Sequence, residues 1–126
     1  MRTRRGFTLI ELALALTIIA LLGGLAVNLY SKMANKARFT QAVGALKHLQ
    51  KTETIHFAEN GVYTDNVSRL DFDPVKYDFY VISVTLLGGG TDYTGRADGR
   101  GAMAGDLWLI TRDGDPVQDN VAKARF

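Results

Sequence analysis

A chain of 126 residues with 47% hydrophobic content holds one modest domain and little more. It contains no cysteine, which excludes disulfides, thiolate nucleophiles and thiolate metal sites, so cohesion rests on packing alone. The formal charge of +2 depends on Arg2, Arg4 and Arg5; without those three the side chains sum to −1, which argues against nucleic acid as a main partner.

Residues 1–6 form a short basic leader. Phe7 to Tyr30 is then almost wholly apolar, and from Gly6 to Ser31 the only side chain charged at neutral pH is Glu11. Leu12 to Tyr30 gives 19 residues, and at about 1.5 Å per residue a helix of that length spans roughly 30 Å, the thickness of a bilayer core. A secretory signal peptide also opens on positive charge, but its apolar region runs only about 7–15 residues; cleavage among the small residues Ala20 to Ala26 is the competing reading. Arg2, Arg4 and Arg5 on one flank are matched by Lys32, Lys36 and Arg38 on the other, so the α-amine tips the balance towards a cytoplasmic amino terminus. An acid at the centre of a spanning helix costs about 2.5–3.5 kcal/mol, and less near an interface. Glu11 therefore needs a partner or a proton, and a place in the headgroup zone beside Arg4 and Arg5 or at the positive helix start is the plain reading.

The run Gly6-Phe7-Thr8-Leu9-Ile10-Glu11-Leu12 behind an Arg-containing leader resembles the processing site of type IV prepilins and the related pseudopilins. The resemblance covers Arg2 to about Ala58 well and the remainder in general layout. It implies cleavage between Gly6 and Phe7 by a prepilin peptidase, which also methylates the new Phe7 amine. It gives Glu11 a role in assembly, because cleavage creates a cationic amine that an adjacent carboxylate can compensate in low dielectric. Leu9, Ile10, Leu12, Leu14, Leu16, Ile18 and Ile19 are expected to pack in a filament core. Ala13, Ala15, Ala20, Gly23, Gly24 and Ala26 would permit close helix approach there or in a membrane. Many type IV pilins carry a proline near the position of Asn28; without one, Gly23, Gly24 and Asn28 are weak helix formers and the candidates for local melting in a filament.

Apolar residues continue three and four apart at Phe39, Ala42, Val43, Leu46 and Leu49, and Asn60-Gly61 supplies a stop, so one helix of roughly 50 residues is expected. Its first half, residues 7–30, is apolar all round. Its second half is amphipathic and belongs with a soluble part, residues 31–126. There an irregular connection holds Val62-Tyr63 and Leu70 to Pro74, and strands are expected over Tyr77–Leu87, near Thr91–Ala97 and near Leu107–Arg112. The fold class is α+β: a long helix whose carboxyl-terminal half packs its Val43, Leu46 and Leu49 face on an antiparallel sheet of three or four strands.

Chemistry is thin. His48 and His56 are eight apart, too far for helical zinc ligands at i and i+4, and read as solvated helix residues. Asp71 with Asp73 and Asp113 with Asp115 are turn residues before they are calcium ligands. Gly88 to Gly90 and Gly95 to Gly105 lack the Lys-Ser or Lys-Thr of a phosphate loop. Tyr30, Phe39 and Phe57 read as core packing rather than an electron path, and Arg96 and Arg100 as flanks of a solvated loop. Asn66-Val67-Ser68 fits a glycosylation acceptor by a three-residue pattern, and the tail Val121–Phe126 has no disulfide to pin it. No catalytic, cofactor or metal site is expected. The resemblance implies a non-catalytic subunit of a type IV pilus, a major pilin before a minor one. Its partners are copies of itself, the prepilin peptidase, an inner-membrane assembly platform, minor pilins and the membrane before assembly, with no nucleic acid required. It is held in the inner membrane and later placed on the cell surface. A pseudopilin of a type II secretion system is the alternative, disfavoured modestly by Tyr63-Thr64 where those proteins often have Tyr-Pro; an anchored periplasmic enzyme or binding module is the alternative of another class.

Overall fold

No proline interrupts the chain between Gly6 and Gly61. The structure, a computed structural model describing residues 5–119, carries that stretch as a single 52-residue helix, α1 (Leu9–Asn60). Residues 1–4 and the tail 120–126, including Val121–Phe126, lie outside the described residues. α1 ends where the sequence asks it to: Gly61 adopts φ 74° and its N–H donates to Phe57 O at 2.8 Å, a left-handed cap that glycine takes without a Cβ penalty. The chain divides into two compact units between Ala34 and Asn35.

In the first unit α1 is apolar on every side. Its large hydrophobic side chains from Phe7 to Met33 are all exposed, from 49% at Ile18 to 91% at Phe7. Helix persists through Gly23, Gly24 and Asn28 in the single chain.

In the second unit α1 has one buried stripe, Ala42, Ala45, Leu46, Leu49, Thr52 and Glu53, spaced three and four apart as a one-faced helix requires. Val43, expected in that stripe, is only half-buried, and Ala45 stands in its place because the face turns towards Thr52 and Glu53. The sheet facing it is an antiparallel meander in the order β1-β2-β3-β4: β1 (Tyr80–Leu87), β2 (Asp92–Gly99), β3 (Leu107–Thr111) and a two-residue β4 (Val117–Gln118) that the sequence reading did not foresee. β1 begins at Tyr80, not Tyr77, because Pro74–Lys76 forms a 3₁₀ turn capped by Asp73. Arg96 lies within β2, not beside a loop.

Alternation decides which side chains reach α1. Tyr80 and Ile82 of β1, Tyr93, Gly95 and Ala97 of β2 and Ile110 of β3 are buried, and register places Val84 opposite Gly95 and Gly95 opposite Ile110. At Gly95 the sheet leaves no room for a side chain beneath the helix: a Cβ there would lie 2.7 Å from Ile110 Cγ2 and 2.9 Å from Leu49 Cδ2. The connection between α1 and β1 adds Leu70 and Phe72 to the core.

Candidate functional site

The helix start is the segment that the sequence singles out, and its geometry is local. Thr8 O accepts from Leu12 N at 3.1 Å, so Thr8 precedes the first turn. Its N–H donates to Glu11 Oε2 at 2.9 Å, and Glu11 N–H donates back to Thr8 Oγ1 at 3.2 Å. This reciprocal pair is a capping box, which satisfies two of the four amide donors that any helix start leaves without intrahelical partners. Glu11 is thus held in its own chain by Thr8. The Thr-x-x-Glu spacing ahead of an apolar run is its sequence signal, and Thr8 is the residue that reasoning from charge alone passed over. Ahead of it, a Cβ on Gly6 would meet nothing within 4 Å among the described residues, and Phe7 is exposed.

The family model for the prokaryotic N-terminal methylation motif matches residues 1–27. The chain is also 30% identical over 94 residues to the type IV major pilin protein PilA of Myxococcus xanthus (strain DK1622), an alignment covering 75% of this chain and 43% of that protein. The motif and the relative together support a type IV pilin precursor. The chain spans less than half the length of the relative it matches, and no solved structure matches it. Its one long helix on a four-stranded antiparallel sheet is a pilin-like α+β arrangement. Among the described residues α1 alone is long and apolar enough to cross a membrane, and together with the signal it fits membrane anchoring.

Away from the helix start, the polar side chains of the second unit hold its loops. His48 Nε2–H donates to Asp71 O at 3.0 Å and His56 Nδ1–H to Val62 O at 2.9 Å, so both histidines pin the connection rather than point freely into solvent. Gln50 Nε2 is shared among Thr111 O, Arg112 O and Gly114 O at 2.9, 3.1 and 2.9 Å. Asp106, buried, accepts from Tyr80 Oη at 2.7 Å, Trp108 Nε1 at 2.8 Å and Gln118 Nε2 at 2.7 Å, tying β1, β3 and β4 to one carboxylate. Burial, then the bond to Asp106, pushes the Tyr80 phenol far above its ordinary value.

The remaining candidates have structural occupations. Asp73 Oδ1 accepts from Val75 N at 3.0 Å, Asp113 pairs with Arg112 at 3.2 Å and Asp115 with Lys47 at 3.8 Å. Arg96 makes a two-point pair with Asp98 at 2.7 and 2.8 Å, and Arg100 donates to Asp78 O and Tyr77 O. Phe39 stacks on Trp108 at 5.3 Å and Phe57 on Tyr63 at 4.6 Å, while Tyr30 is exposed in the first unit. Asn66 of the Asn66-Val67-Ser68 pattern caps a 3₁₀ turn by accepting from Ser68 N. Among the described residues no three His, Cys, Asp or Glu side chains come together as metal ligands.

Proposed function

We propose that this chain is a non-catalytic structural subunit, a major pilin, of a type IV pilus. One observation carries the reading: a methylation-motif leader stands directly ahead of a helix whose apolar side chains are exposed on all sides. Burying Leu9, Ile10, Leu12, Leu14, Leu16, Ile18 and Ile19 represents on the order of 10–20 kcal/mol per subunit. Lipid supplies that burial before assembly, and a bundle of identical helices supplies it afterwards. On this reading residues 1–6 are a leader removed by the prepilin peptidase at Gly6, Phe7 becomes the methylated amino terminus, residues 7–30 anchor and then pack, and residues 31–126 form the outer part. The Glu11 carboxylate, presented by its capping box, compensates the Phe7 amine of a neighbouring copy and so fixes register. An inner-membrane platform and minor pilins complete the assembly path, and the filament ends on the cell surface.

Intact mass of the protein in material sheared from cells tests this. Loss of Met1 to Gly6 with gain of one methyl group, in filaments, is the expected result. A full-length mass confined to membranes overturns it. A processed, methylated chain missing from the sheared fraction points instead to a pseudopilin.

A further inference from the structure

Outside the amino-terminal segment, one acid sits where a charge is costly. Glu53 of α1 is fully buried, its Oε2 accepts from Thr64 N at 3.1 Å, and its Oε1 has no partner among the described residues. The Tyr93 hydroxyl of β2, in a side chain only 1% exposed, is also without a partner there. An ionised carboxylate has about four lone-pair sites to satisfy, and this one meets a single N–H. Around it the Val62–Thr64 segment is tied to the rest of the unit: Val62 O by His56, Tyr63 N by Gly90 O at 2.9 Å, Thr64 N by Glu53, and the Tyr63 ring between Phe57 and Tyr93 at 4.6 and 4.7 Å.

We propose that Glu53 is a proton-operated latch on the Val62–Thr64 segment: the neutral acid keeps the segment seated against α1, and loss of the proton to solvent leaves a buried carboxylate that loosens it.

The charges facing the group agree in direction. Burial is the largest influence and raises the Glu53 pKa; the Thr64 N–H and His56 on its own helix oppose it, and Asp65 on the connection adds to it. On the sheet side Tyr93 is the neighbour, its phenol pushed up by burial and then by Glu53, with Tyr63, Asp92 and Asp113 acting in the same sense. A folded pKa above the unfolded 4.5 means that the group's contribution to stability is complete below pH 4.5 and is lost as pH rises through the folded value. The seam therefore tightens in acid and opens towards neutrality, opposite to the usual behaviour of a paired carboxylate.

Amide exchange on the full chain in detergent micelles, read as protection at Tyr63 and Thr64 from pH 4 to 8, tests the latch. Protection in the wild type is expected to fall up to about tenfold per pH unit above the Glu53 pKa, while Glu53→Gln stays flat. Equal decline in both proteins, or none in the wild type, overturns the proposal. Should the variant not fold, carbon-13 titration of the Glu53 carboxyl in the wild type decides: a midpoint above 4.5 supports the latch, and one at or below 4.5 overturns it.

Discussion

Gly95→Ala adds one methyl group where the sheet packs closely against the helix. The new Cβ would stand 2.7 Å from Ile110 Cγ2, 2.9 Å from Leu49 Cδ2 and 3.6 Å from Leu46 Cδ2. Two of these are inside van der Waals contact, so Ile110 and Leu49 must both move, and overpacking of that kind costs about 1–3 kcal/mol. Alanine recovers about 0.4–1 kcal/mol by restricting the unfolded chain, leaving a net loss of about 1–2 kcal/mol. Leu49→Ala alone should cost about 2–5 kcal/mol by opening a cavity. The two changes are coupled, because the space that Leu49 vacates relieves one of the two clashes. The double variant should be more stable than the sum of the single losses by at least about 0.5 kcal/mol. Trp108, the only tryptophan, is half-buried and stacked on Phe39, so its fluorescence follows denaturant unfolding of this unit in the full chain in micelles. A Gly95→Ala protein as stable as wild type, with losses that simply add, would show that helix and sheet do not meet at Gly95.

Other perturbations follow from the same geometry. Asp106→Ala strands the Tyr80 and Trp108 donors and should cost about 2–5 kcal/mol, measured by the same fluorescence transition. Because the folded Tyr80 phenol stays protonated where the unfolded one ionises near 10, wild-type stability should decline above about pH 10; Tyr80→Phe should flatten that decline. Gln50→Ala should cost about 1 kcal/mol and raise amide exchange in residues 112–118 while leaving Tyr63 and Thr64 protected. Glu11→Ala should leave the chain in membranes and empty the sheared filament fraction; normal filament numbers would remove Glu11 from assembly.

The long helix, its stop at Gly61 and three of the four strands were legible because each rests on a local rule: no proline, three-and-four spacing, a left-handed glycine, aromatic and β-branched runs. β4 was not, since two residues, Val117 and Gln118, carry no periodicity and pair only because Leu109 and Trp108 present a free edge. Val43 was misplaced by one position of helical phase, which apolar spacing alone does not resolve when alanines such as Ala45 share the face. The latches of His48, His56, Gln50 and Glu53 were illegible for a different reason. Each reaches past the end of the helix to a loop, from six residues away for His56 and Val62 to 64 for Gln50 and Gly114, and a polar residue on a helix looks solvated until the loop that covers it is known.

Those latches also account for how a unit with no cysteine keeps its loops in place. A disulfide acts mainly by restricting the unfolded chain, whereas here the restraint is placed in the folded state. Within about two and a half turns, α1 presents His48, Gln50, Glu53 and His56, two of them to the connection on one side and one to the β3–β4 loop on the other, with Glu53 beneath. Each bond is worth about 1 kcal/mol, so none is decisive alone, and each depends on the α1 register set by Leu46 and Leu49 against Gly95. Thus the helix fixes the loops only while its apolar stripe is seated. A change at Gly95, with no polar atom of its own, should therefore loosen the Val62–Thr64 and Thr111–Gly114 segments together, whereas a change at Gln50 loosens one of them.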